Sequence, residues 1–422
     1  MEHPNELPLP DANDARVWFQ HGQAQKVQAL QLQNDPLAAR ALLQQAIDNF
    51  SHSAQLDSQP AAALNQRGSV WFLLGDTGQA IESFSRAIAS DPLYANAYYN
   101  RGVALKTKGD ADSLRQALHD FDETIRLQPT AKAYYKRGQT RQLTGDFDGA
   151  LADFDESVRL NPQTASALTQ RGAARKLTGD LSGAIADQDA ALQMGESAQA
   201  YYHRAGARAE AGDTQGALGD YGEAIRLNPR YAEAYNRRGA LRFALHDLKG
   251  ALADYDRAIF SNPSLAIAYN NRGTARHSAG DLSGALKDYD AAIRLDPAYF
   301  LAYVNRGAVR SDSGDLAGAS DDYSAALALN PNYANAYYNR GLAHAEQDHF
   351  DDAIEDYGAA LRLKPDMLEA WLNRGLARAS RNTPEDQRLA LEDLRYYLAH
   401  TDSSESEDVQ KIVRSLERML SR

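Results

Sequence analysis

The segment Ala268–Pro297, AYNNRGTARHSAGDLSGALKDYDAAIRLDP, decides how the chain is read. Its Asn271-Arg272-Gly273 is one instance of a (Y/N)-N-R-G string that recurs down the sequence. The small residue closing that string falls at Gly68, Gly102, Gly138, Gly172, Ala205, Gly239, Gly273, Gly307, Gly341 and Gly375. Successive spacings are 34, 36, 34 and 33, then 34 five times. A length of 422 residues allows several ordinary domains or one long array, and a fixed period of this size is the mark of the array.

Further columns keep the same register. With the small residue as position 8, position 4 is a large residue, Tyr in seven repeats (Tyr98, Tyr134, Tyr201, Tyr235, Tyr269, Tyr303 and Tyr337) and Trp371 in the last. Position 20 is always Ala, position 24 is aromatic in eight repeats, among them Phe84, Phe154, Tyr255 and Tyr323, and position 32 is mostly Pro. Small residues at 8 and 20 let the two helices of a unit, A and B, approach closely, and the aromatics at 4 and 24 fill the gaps between helices. Gly-Asp pairs such as Gly145-Asp146 and Gly280-Asp281 end helix A, and the Pro stops helix B. This set of columns resembles the tetratricopeptide repeat family over ten units, roughly Ala61 to Thr401. The resemblance implies an all-α fold, a right-handed superhelical α-solenoid in which stacked neighbours share one core.

Outside the ten units, residues 14–60 read as a degenerate repeat or helical N-cap, in which Trp18, Gly22, Ala39, Leu43 and Ala46 keep part of the pattern with a longer A–B turn. Residues 402–422 place Val409, Ile412, Val413, Leu416, Met419 and Leu420 on one face, as a C-terminal capping helix requires. Residues 1–13 are expected to be disordered. Repeat two carries three extra residues, expected in its A–B turn between Gly109 and Ala117. Repeats four and five break the pattern with Gln188 at position 24, Glu196 for Pro and Ala205 for Gly, so a weak point or change of pitch is expected near residues 186–206.

Composition narrows function. The net charge of −12 opposes broad nucleic-acid binding, and no apolar run approaches the length of a membrane span. The opening MEHPNELPLPDAND lacks the features of a signal peptide, so the chain reads as soluble and cytoplasmic. Without Cys there is no disulfide, thiolate metal site or thiol nucleophile. The histidines are scattered, and His344 and His349, five apart, do not share a helix face. No catalytic centre, cofactor or metal site is expected.

Two polar columns are left to interpret. Position 7 is Arg in all ten repeats, Arg67 through Arg374, and position 23 is Asp in nine. A ladder of Arg–Asp pairs between helices A and B is the favoured reading over an anion-binding stripe. Position 6 is Asn at Asn100, Asn271, Asn305, Asn339 and Asn373. In tetratricopeptide proteins positions 2, 5, 6, 9 and 12 line the concave groove, and this column resembles the asparagine ladder of the O-linked N-acetylglucosaminyltransferase. An amide offers both donor and acceptor to a peptide backbone, although it also suits a bond to a neighbouring helix.

Tyr99, Tyr135, Tyr202 and Tyr338 at position 5 would add contact area along such a groove. Lys132 and Lys136, with Asn100 before them, resemble part of the dicarboxylate clamp of heat-shock co-chaperones; Asn65 and Ser69 depart from it. With Lys106 and Lys176 they mark a locally basic end suited to an acidic peptide. The expected function is a non-enzymatic scaffold binding a protein or peptide segment. The alternatives are a self-associating structural protein or a regulatory subunit of a larger complex.

Overall fold

A computed structural model describes residues 13–32, 34–381, 383–401 and 407–421. The expected disorder of residues 1–13 falls, apart from Asn13, outside them. Among the described residues there are helices and turns and no strand.

Two helices come first, α1 (Ala15–Gln31) and α2 (Pro36–Leu56). Repeats one to five follow as the pairs α3 (Ala61–Leu73) and α4 (Thr77–Ser90), α5 (Ala95–Lys108) and α6 (Ala111–Leu127), α7 (Ala131–Leu143) and α8 (Phe147–Leu160), α9 (Ala165–Leu177) and α10 (Leu181–Met194), α11 (Ala198–Glu210) and α12 (Thr214–Leu227). Repeats six to eight are α13 (Ala232–Ala244) and α14 (Leu248–Ser261), α15 (Ala266–Ser278) and α16 (Leu282–Leu295), α17 (Phe300–Asp312) and α18 (Leu316–Leu329). Repeats nine and ten are α19 (Ala334–Glu346) and α20 (Phe350–Leu363), α21 (Leu368–Arg381) and α22 (Pro384–His400), and α23 (Glu407–Leu420) closes the chain.

Contacts divide the chain into two units, Met1–Asp220 and Tyr221–Arg422, with the division inside α12. Each unit is an all-α solenoid of helix hairpins. In the first, every helix from α1 to α10 packs on the next, and each A helix from α3 to α9 also touches the A helix of the following repeat. In the second, α13 to α23 follow the same scheme, and α23 lays Val409, Val413 and Leu416 against Ala390, Leu394 and Tyr397 of α22.

The conserved register of the columns has a steric origin. A Cβ added at Gly138 would stand 2.9 Å from the ring of Phe154, and one at Gly239 2.8 Å from the ring of Tyr255. Position 8 is therefore small because the position-24 ring of its own repeat lies flat against the helix A backbone. Gly22 meets Phe50 in the same way, which makes α1 and α2 a hairpin built on the repeat's own contact. Most A–B turns put a left-handed residue before an Asp N-cap: Gly145 has φ +82°, and Asp146 accepts from the N–H of Gly149.

One expectation about turn length is corrected. The three extra residues of repeat two lengthen helix B, not the turn: α6 has 17 residues where α8 has 14, and only Gly109 and Asp110 separate it from α5. In the N-terminal hairpin the helices are longer, 17 and 21 residues, and the stretch between them, 32–35, is also one residue longer than the 144–146 of repeat three. An additional helical turn keeps its backbone bonds internal, which a longer exposed loop would not.

At repeat four, Gln188 is wholly buried. Its Nε2 donates to the Thr169 carbonyl at 2.9 Å, and its Oε1 has no partner.

Candidate partner-binding groove

The Arg and Asp columns form one polar lattice. Arg137 grips Asp153 with Nη2 to Oδ1 at 2.6 Å and Nε to Oδ2 at 3.0 Å. The same fork closes at Arg101–Asp120, Arg171–Asp187, Arg204–Asp220, Arg238–Asp254, Arg272–Asp288, Arg306–Asp322, Arg340–Asp356 and Arg374–Asp393. These Asp residues are at most 4% exposed, so the fork is what makes their burial tolerable. In repeat one Ser83 replaces the Asp and accepts from Arg67 Nε at 3.2 Å.

Two further sets of contacts were not read from the sequence. A second Arg at position 11, one helical turn on, shares the same carboxylate: Arg141 Nη1 lies 2.9 Å from Asp153 Oδ2, and Arg175, Arg208, Arg242, Arg276, Arg310 and Arg378 repeat this. The i, i+4 spacing of the two Arg columns was the available signal. Repeat two has Leu105 there, and with one guanidinium instead of two, burial pushes the Asp120 carboxyl up despite Arg101. The second set runs backwards: the free Nη1 of the position-7 Arg reaches position 25 of the preceding repeat, as in Arg137–Asp122, Arg272–Asp256 and Arg306–Asp290 at 2.6–2.7 Å. The stripe carries little uncompensated charge for a ligand.

The Asn column is also engaged between repeats. Asn100 donates to Asn65, Asn271 to Asn236 and Asn305 to Asn270, each from position 6 to position 5 of the repeat before, at 2.9–3.0 Å. Asn373 donates to the Tyr338 hydroxyl at 2.9 Å in the same register. The acceptors Asn65, Asn236 and Asn270 are buried, so each donor satisfies an otherwise stranded carbonyl. Asn339 stands opposite Val304, which offers no acceptor, and among the described residues its amide makes no hydrogen bond.

The position-5 tyrosines are anchored from behind. Tyr99 meets Phe121 edge-on with ring centroids 6.1 Å apart, Tyr135 tilts on Phe154 at 6.0 Å, and Tyr338 on Tyr357 at 5.9 Å. Burial pushes the hydroxyls of all three upward. Tyr202 packs edge-on against His203.

The lysines separate into two groups. Lys176 is paired with Glu210 at 2.5 Å. Lys106 donates to Gln139 Oε1 at 2.7 Å, and Gln139 donates to the Tyr135 hydroxyl at 3.0 Å; burial, and then the charge of Lys136, pull the Lys106 amine down. Lys132 and Lys136 pair with no carboxylate among the described residues, and Lys136 lies 5.7 Å over the Tyr135 ring. Both line a cavity of about 490 Å³ together with Tyr99, Tyr135, Asn161, Thr164 and Ser166. Of the sequence-selected residues, the structure thus gathers Tyr99, Lys132, Tyr135 and Lys136 into one concavity of the first unit.

Comparison with known proteins agrees with this architecture. Sequence profiles described as "TPR repeat" match residues 68–109, 273–312 and 310–348, and profiles described as "Tetratricopeptide repeat" match 131–164, 202–266 and 334–367. Human tetratricopeptide repeat protein 36 is 38% identical over 118 residues, 27% of this chain and 60% of that protein. Human mitochondrial import receptor subunit TOM70 is 29% identical over 113 residues, 25% of this chain and 18% of that protein. Both matches cover less than two thirds of the relative's own length. A solved tetratricopeptide repeat protein from Parabacteroides merdae is 22% identical, covering 58% of this chain and 98% of that one, with a TM-score of 0.45. With its repeated columns, hairpin pairs and position-8 to position-24 contact, the chain belongs to the tetratricopeptide repeat family.

Proposed function

We infer that the chain is a non-enzymatic protein-interaction module that takes an acidic, extended segment of a partner protein in the groove of repeats two to four. One observation carries this reading: in a chain of net charge −12, Lys132 and Lys136 hold their charge unpaired in a cavity walled by Tyr99 and Tyr135. The position-7 and position-11 arginines, by contrast, are committed to Asp residues in nearly every repeat. An acidic side chain or terminal carboxylate would meet the two ammonium groups, and its neighbours would lie on tyrosine rings already fixed by Phe121 and Phe154. Held rings lose little freedom on binding.

The Asn column supports a secondary contact at most, because four of its five amides already serve the preceding repeat. Asn339 is the rung with its amide to spare.

Fluorescence polarisation with a glutamate-rich peptide, and with its lysine-rich counterpart, tests the reading. Only the acidic peptide should bind. Replacing Lys132 and Lys136 with Ala should weaken it by roughly tenfold or more, and Asn305→Ala should leave affinity unchanged. Equal binding of both peptides, or indifference to the lysine substitutions, would refute the site.

A further inference from the structure

Repeat nine departs from its neighbours at three positions that touch one another. In repeats three to eight, position 11 is Arg, position 16 is the Asp that caps helix B, and position 19 is Gly. The Arg Nε lies 3.4–3.9 Å from the capping Asp, as in Arg141–Asp146 and Arg276–Asp281. Position 19 is Gly there, and a Cβ would come within 2.0–2.3 Å of the capping carboxylate as it stands. In repeat nine these residues are His344, His349 and Asp352. Once His349 replaces the Asp, the obstacle at position 19 is gone and a side chain fits.

His344 and His349 are not on one helix face, but the turn between α19 and α20 folds them together, with ring centroids 6.2 Å apart. The expectation that their spacing keeps them apart overlooked that turn. One ligand atom from each of His344, His349 and Asp352 lies within 4.8 Å of the others. His349 does not cap α20 with its side chain. His344 Nε2 is 3.2 Å from Ser320 Oγ and 3.8 Å from Asp356 Oδ2, whereas its Nδ1 is buried and has no partner. His349 and Asp352 also line a cavity of about 510 Å³, so the cluster is reachable from solvent.

We propose that His344, His349 and Asp352 bind a divalent transition metal of the zinc class across the A–B turn of repeat nine. Two imidazoles and a carboxylate are the donor set such ions take in a chain without thiolates, with a fourth position left to water. His344 Nδ1 is the ring nitrogen left for the ion, and Ser320 and Asp356 orient the imidazole from its other side. Tetrahedral zinc with bonds of about 2.0–2.1 Å sets its ligands about 3.4 Å apart. His349 and Asp352 are exposed, and their side chains would turn to close the cluster from 4.8 Å to that spacing. The ion would take over the stapling of the turn that the Arg–Asp pair performs in the other repeats.

The test is a calorimetric titration of the untagged full chain with zinc chloride at neutral pH, with thermal unfolding followed in parallel. The comparison is the triple variant His344→Arg, His349→Asp, Asp352→Gly, which restores the turn of repeats three to eight and so folds; far-ultraviolet circular dichroism verifies this. The native chain should take up one zinc per chain and unfold at a higher temperature with it. The variant should lose that equivalent or bind it roughly 100-fold more weakly. Absence of zinc uptake by the native chain, or the same equivalent at the same affinity in the variant, would overturn the site.

Discussion

Asn305 Nδ2 donates to Asn270 Oδ1 at 2.9 Å, joining position 6 of one repeat to position 5 of the repeat before it. The acceptor is 5% exposed, so removing the donor strands a buried carbonyl. Asn305→Ala is expected to cost about 1–3 kcal/mol. Asn339→Ala, opposite Val304, should stay within about 0.5 kcal/mol of native. Urea unfolding, with hydrogen exchange over α15 and α17 to locate the loss, distinguishes the two.

Two links of the backward Arg lattice are missing and can be supplied. Position 25 is Gly222 in front of Arg238 and Gly358 in front of Arg374; an added Cβ there would lie 3.9 and 3.8 Å from the respective Nη1 atoms, with nothing nearer than 3.7 Å. Gly222→Asp and Gly358→Asp should each stabilise the fold by about 1 kcal/mol, through the new pair and the gain in helix propensity over Gly. Thermal unfolding at low and high salt would separate the contributions, since only the pair is screened.

Gln188 leaves a buried Oε1 without a partner, where eight repeats place a ring. Gly172 keeps the space that such a ring occupies elsewhere. Gln188→Phe should stabilise repeat four by about 1–2 kcal/mol and slow exchange of amides in α9 and α10. A destabilised variant would mean that the Thr169 contact outweighs the unpaired oxygen.

His203 gives the first unit a pH dependence. Burial first, and the nearby Lys176 ammonium second, bring its imidazole down to about 4. The unfolded chain, titrating near the ordinary value of about 6.5, then binds the proton more readily than the folded one. Stability is complete above that pH, declines as pH falls towards 4, and is flat below. The total is on the order of 3 kcal/mol. His203→Asn should remove this slope in a series of unfolding measurements across the range.

The fold could be read from the sequence because its determinants are periodic. A ring at position 24 against a Gly at position 8 recurs so often that sterics alone fix the hairpin. The Arg–Asp fork was legible for the same reason. The site was not, because a column shows which residues repeat and not where each unpaired atom ends up. Nothing in the string around Asn305 says that its amide is committed to Asn270, or that Val304 releases Asn339. The His344–His349 relationship was hidden by a different cause: helix periodicity does not describe residues on opposite sides of a turn.

The backward reach of the position-7 arginines gives the array a direction. Arg306 is 16% exposed and, beyond its fork to Asp322, reaches back to Asp290 of the earlier repeat, whereas Asp290 is 52% exposed and remains hydrated without it. A chain emerging N-terminus first presents the position-25 carboxylate before the guanidinium that reaches back to it, while the fork to position 23 closes within a single repeat. Each nascent repeat can close its own Arg–Asp fork and then dock on a template already made. Growth in the opposite order would bury the needy group first, so the lattice favours vectorial assembly from the N-terminal side.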